Sequence, residues 1–154
     1  MDRQTRFLLA SKLTQFRDIV GAEQAFTQAR ENSHDAIPDQ VITDAWRAYH
    51  DGIKHTLGVW VKHVSHAGIR KRCHATNNRI ERLNSTIRER TKVQRGWKTL
   101  STPLAEGIRI HYNFVKPHMT LDGQTPAQRA GINVLQTDNK WLEMLLASQK
   151  KSTT

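Results

Sequence analysis

The stretch Asn77–Lys98, NNRIERLNSTIRERTKVQRGWK, constrains this chain more than any other. At 3.6 residues per turn, Ile80, Leu83 and Ile87 recur at i, i+3 and i+7 and share one face. Asn77 or Asn78, Glu81, Ser85 and Arg88 fall on a second face. The spacing predicts a helix that docks its apolar face on a core and presents Glu81, with Arg88 two turns later, beside that core.

The charge around this helix is lopsided. Arg70, Lys71, Arg72, Arg79, Arg82, Arg88, Arg90, Lys92, Arg95 and Lys98 crowd one stretch, opposed only by Glu81 and Glu89. A solvated helix ordinarily mixes signs to support i,i+4 pairs, so the run reads as more than a wet face. The whole chain carries +10, which points to a polyanionic partner, nucleic acid first. Charge alone does not separate DNA from RNA or anionic lipid.

At 154 residues and 37% hydrophobic content the chain suits one domain with a modest core and is too apolar for a disordered one. No apolar run approaches the roughly 20 residues of a membrane span, and no signal-peptide pattern opens the chain. Cys73 is the single cysteine, which excludes an intrachain disulfide and fits a reducing, cytoplasmic setting.

Taken in order, Thr5–Ser11 reads as a strand and Arg17–Arg30 as a helix. Gln40–Thr43 reads as a short buried strand that Asp44 ends, ahead of a helix over Ala45–His50. Val59–Val64 is a third strand; Gly96 is expected to close the central helix. Leu104–Phe114, Ala127–Ala130 after Pro126, and Trp141–Ala147 are helices, and the last five residues, KKSTT, form a disordered tail. Strands alternate with helices first and helices then dominate, which predicts an α/β domain with a small sheet. The division expected is 1–132 for that domain and 133–154 for a C-terminal helix and tail.

Two acids stand out. Asp44 lies at the C-terminal end of a strand, where open α/β sheets bind ligands; it also suits a plain helix cap. Glu81 alone reads as a surface acid near a helix N-terminus. Together, two hard carboxylates converging from a strand end and a helix would make a Mg²⁺ or Mn²⁺ site. His63, His66, Cys73 and His74 offer zinc-ligand types, but at no common finger spacing and within a basic loop. Trp46, Trp60, Trp97 and Trp141 read as core or docking residues rather than base-stacking platforms.

The segments ITDAWRAY, NNRIERLNSTIRERTKVQRGWK and HYNFVKPHMTLDGQTPAQRAGI resemble the second half of a DDE transposase of prokaryotic insertion sequences. That family belongs to the RNase H-like, retroviral-integrase-like superfamily. The resemblance runs from about Arg3 to Ile132. It implies that Asp44 and Glu81 are the second and third acids of a catalytic triad holding Mg²⁺ or Mn²⁺. It implies that Arg88 contacts DNA beside them, in a surface with Asn78, Arg79, Arg82, Lys92, Arg95 and Lys98. Tyr112, Asn113, Pro117, His118, Thr125 and Pro126 match further family elements and read as architectural.

The resemblance also implies a sheet in the order 3-2-1-4-5, of which this chain would hold only the last three strands in sequence: a partial RNase H-like fold, N-terminally truncated. Thr5–Ser11 would then have lost its neighbour, leaving it short, displaced or frayed, and Asp2 is the only acid near the start available to replace the first of the triad. The expected function is therefore a transposase fragment, inactive alone, cleaving and joining DNA only when completed. The alternative is a non-catalytic DNA-binding remnant that inhibits a full-length transposase. Expected partners are transposon-end and target DNA and a homo- or hetero-oligomer with full-length transposase, in the nucleoid and away from membranes.

Overall fold

Strands β1 (Gln40–Asp44) and β2 (Lys62–His66) pair in parallel, in a register that sets Gln40 against Lys62 and Asp44 against His66. Helix α2 (Arg47–Thr56) connects them, and α1 (Ile19–Glu31) packs on α2. The structure is a computed structural model and describes residues 1–66, 78–93, 97, 99–135 and 137–150. The chain divides into two compact units, Leu9–Thr102 and the pair of segments Met1–Leu8 and Pro103–Thr154.

In the unit Leu9–Thr102, α1 begins where Asp18 adopts an extended conformation and its Oδ1 accepts the Gly21 N–H at 2.8 Å. That bond satisfies one of the amides a helix start leaves open. Ala22 on α1 and Gly52 on α2 let the two helices approach closely: a Cβ on Gly52 would lie 3.2 Å from the Ala22 Cβ. The Phe26 and Tyr49 rings meet edge-on at 6.3 Å beside this crossing. Ile53, Leu57 and Val61 form the buried cluster, with Phe26 and Val41 packed against it.

Strand β2 starts three residues later than Val59–Val64 implies. Gly58 takes φ +105°, and the Val61 N–H returns to the Gly58 carbonyl at 3.5 Å, so Val59 and Trp60 occupy a turn. Pairing resumes at Lys62, whose N–H reaches the Asp39 carbonyl at 3.1 Å. Trp60 is 95% exposed, so of the core or docking role expected of it the core role does not hold. Helix α3 (Asn78–Val93) has the expected phase: Leu83 is buried, Ile80 and Ile87 are half-buried, and Asn78, Glu81, Ser85 and Arg88 are exposed. Asn77 and the Gly96 closure lie outside the described residues.

In the other unit, α4 (Leu104–Ile110) runs into a π-helical turn, His111–Val115, closed by the Lys116 N–H on the His111 carbonyl at 2.9 Å. Helices α5 (Pro126–Arg129) and α6 (Lys140–Lys150) both pack on that turn, and His111 stacks on Trp141 at 6.0 Å. Helix α5 starts as a capping box: Thr125 Oγ1 accepts the Gln128 N–H, and Gln128 Oε1 accepts the Thr125 N–H.

Thr5–Ser11 is not a strand, contrary to its apolar, β-prone sequence. Side chains bond several of its backbone groups where a neighbouring strand would. Within the unit Met1–Leu8 and Pro103–Thr154, Asn113 Oδ1 accepts the Leu8 N–H at 2.8 Å and Asn113 Nδ2 donates to the Leu8 carbonyl at 3.0 Å. Within Leu9–Thr102, Asn32 Nδ2 donates to the Leu9 carbonyl at 2.7 Å and the Ser11 N–H reaches Gln28 Oε1 at 3.2 Å. Buried amides need partners of some kind, and carboxamides serve where no strand edge does. The architecture is mixed α/β, a two-strand parallel sheet among helices.

Candidate metal and nucleic-acid site

Asp44 is the last residue of β1, so its carboxylate emerges where the strand gives way to α2. It does not cap that helix. Oδ1 accepts the N–H of Trp46, the residue ahead of the first helical one, at 3.0 Å. Such an Asx turn redirects the chain and fixes the carboxylate's orientation. Oδ2 accepts from Arg17 Nη2 at 2.5 Å. The Arg17 guanidinium in turn lies 4.7 Å from the Trp46 ring centre and 5.8 Å from that of Tyr49, and the two rings meet edge-on at 5.1 Å. Burial weakens the Arg17 charge, but Asp44 and then Tyr49 outweigh it and raise its pKa. Both partners are about half exposed, so the ion pair adds at most about 1 kcal/mol.

Beside Asp44, Thr43 Oγ1 donates to the Asp44 carbonyl at 2.8 Å and meets His63 Nε2 at 2.7 Å. The hydroxyl has one proton, already committed, so His63 Nε2 acts as the donor. Burial, and then the neighbouring His50 ring 5.8 Å away, lower the His63 pKa and favour its neutral form.

Glu81 lies in the first turn of α3 and is exposed. With Asn78, Arg82, Ser85 and Thr86 it lines one open depression. Arg88 lies seven residues on, which returns it to the Glu81 face. Arg79 and Lys92 are exposed on the same helix, Lys92 within 3.4 Å of Glu89. Arg95 and Lys98 lie outside the described residues. Asp44 and Glu81 both belong to the unit Leu9–Thr102.

Among the described residues, no three His, Cys, Asp or Glu side chains gather as a metal-binding group. Cys73 and His74 of the zinc-type set lie outside those residues, and His63 is engaged with Thr43. Asp2 is committed locally: Oδ2 accepts the Thr5 hydroxyl and N–H, each at 2.6 Å, and the Gln4 N–H at 3.0 Å. Burial opposes its charge, but these bonds outweigh burial and lower its pKa. Arg17, the cation on Asp44, is not among the residues singled out from the sequence. Its pairing with Asp44 spans 27 residues and follows no periodicity.

A family model described as a DDE domain, DDE_Tnp_IS240, matches residues 1–117. No curated protein and no solved structure matches the chain.

Proposed function

Because this chain belongs to the DDE transposases of insertion sequences, we propose that it acts on DNA through a divalent-metal site formed by Asp44 and Glu81. One observation carries the reading: Asp44 projects from the C-terminal end of a parallel strand, within the unit that also holds the exposed Glu81 of α3. Hard carboxylate oxygens fit Mg²⁺ or Mn²⁺, with water and phosphate oxygens completing the shell. When bound, the ions supply charge for phosphoryl transfer between an attacking and a leaving oxygen. The protein's part is to aim its carboxylates, through the Trp46 amide on Asp44 and the packed phase of α3 under Glu81. Arg79, Arg82, Arg88 and Lys92, with Arg95 and Lys98, hold the DNA backbone by charge, and Asn78 by hydrogen bonding.

In this reading β1 and β2 correspond to the fourth and fifth strands of an RNase H-like sheet, and the DNA is that of transposon ends and targets. No described helix is long and apolar enough to cross a membrane, and the chain is proposed to work beside DNA in the cytoplasm. Among the described residues no group of three metal-ligating side chains gathers, and Asp2 is spent on its own turn. The chain alone is therefore expected neither to cleave nor to join DNA. A nicking assay on element-end DNA with Mg²⁺ or Mn²⁺ tests this; nicking abolished by Asp44→Ala would overturn the inactivity.

A second reading, a DNA-binding remnant that inhibits full-length transposase by entering its oligomer, is favoured by the Arg17 side chain seated on Asp44. Added to a complete transposase of the same element, the chain would then depress strand transfer, and Asp44→Ala would leave that inhibition intact.

A further inference from the structure

We propose that Arg17 is a positioning residue that occupies Asp44 as a surrogate cation and sets how tightly that carboxylate takes a divalent ion. The inference rests on the reading of Asp44 as a metal carboxylate. Arg17, Asp44 and Trp46 form a closed assembly in which Trp46 serves both partners. Its N–H orients Asp44 Oδ1 at 3.0 Å, and its ring carries the guanidinium that reaches Asp44 Oδ2 at 2.5 Å. Tyr49, edge-on to Trp46, backs the same guanidinium at 5.8 Å. Behind Arg17, Asp18 caps α1 and anchors the backbone.

A guanidinium resting on two aromatic rings is pre-organised, because its planar fork already points at the carboxylate. A dication at Oδ2 meets that positive charge at contact distance, so ion and guanidinium compete for one oxygen. The side chain is 59% exposed, so it has open solvent to swing into when displaced. It stays tethered beside the site, with donors suited to a phosphate. Arg17 thus keeps the carboxylate aimed when no metal is present, at the expense of metal affinity.

Mn²⁺ titration of the full chain, with free ion followed by electron paramagnetic resonance, tests this on the wild type, Arg17→Met, Arg17→Lys and Asp44→Asn. The expected result is Mn²⁺ affinity raised on the order of tenfold in Arg17→Met, little changed in Arg17→Lys, and lost in Asp44→Asn. A purely structural role would weaken binding in both Arg17 variants. If Arg17→Met fails to fold by circular dichroism, Arg17→Gln removes the same charge and carries the same expectation. Equal or weaker binding in the neutral variants overturns the inference and leaves the metal reading standing. Absence of Asp44-dependent Mn²⁺ binding in every variant overturns the metal reading, and the inference with it.

Discussion

The Asn113 carboxamide closes a two-bond ring with the backbone of Leu8, accepting its N–H at 2.8 Å and donating to its carbonyl at 3.0 Å. It presents the donor and acceptor that one residue of a neighbouring strand would present. Asn113 is fully buried and Leu8 nearly so, and Phe7 meets Phe114 edge-on at 6.0 Å alongside. Residues 105 apart in sequence are joined here without a sheet.

Asn113→Leu should therefore cost about 2–4 kcal/mol, because the Leu8 N–H and carbonyl are both left buried without partners. Asn113→Asp should lose nearly as much, since a carboxylate accepts the N–H but faces the carbonyl with another acceptor. Urea unfolding monitored by circular dichroism measures both, and an unchanged midpoint in Asn113→Leu would show that the bonds are incidental.

This pairing marks where sequence reasoning stops. Thr5–Ser11 has strand-like residues, yet strands exist through partners, and here Asn113, Asn32 and Gln28 take the partners' place. By contrast, the phase of α3 followed from Ile80, Leu83 and Ile87, and Pro126 signalled the start of α5. Those are local periodicities and caps. Asp44 and Glu81 were legible as acids at suggestive places, but nothing in the spacing announced Arg17, since an ion pair across 27 residues needs the fold first. The turn from Gly58 through Trp60 likewise had no local periodicity to announce it.

Stability should fall with acid through His118. Its Nε2 is buried with no hydrogen-bond partner among the described residues, and its ring meets Tyr112 at 4.7 Å. Burial, then Lys116 and Arg6, lower its pKa below the ordinary 6.5. A histidine that binds its proton less readily when folded stabilises the fold fully above pH 6.5, and loses that contribution as pH falls below it toward the folded-state value. His63 shifts in the same direction. Thermal midpoints should drop between pH 7 and pH 5, and His118→Asn should flatten the drop. A drop of the same size in His118→Asn would assign it to other groups.

The α1–α2 crossing should resist enlargement at Gly52, where an added Cβ would lie 3.2 Å from Ala22 Cβ and 3.5 Å from a Phe26 ring carbon. Gly52→Val should destabilise by about 1–3 kcal/mol through overpacking. Combining it with Ala22→Gly should recover part of that loss in the same unfolding assay. No recovery would place the strain elsewhere.

Duplex DNA binding should weaken steeply with salt. Arg88→Ala and Lys92→Ala should each lower affinity and reduce the log–log salt slope by about 0.9 if each contacts a phosphate. Ser85→Ala, which removes no charge, should leave the slope unchanged. Affinity that is flat from low to high salt would contradict a phosphate-binding role for α3.

Asp44 and Glu81 are proposed to hold divalent metal together. Anomalous diffraction from crystals of the chain grown with Mn²⁺ measures this directly. The result expected is a manganese peak about 2 Å from carboxylate oxygens of both residues, with the Arg17 guanidinium moved off Asp44. Asp44 and Glu81 on opposite sides of the unit, with no peak shared between them, would contradict it.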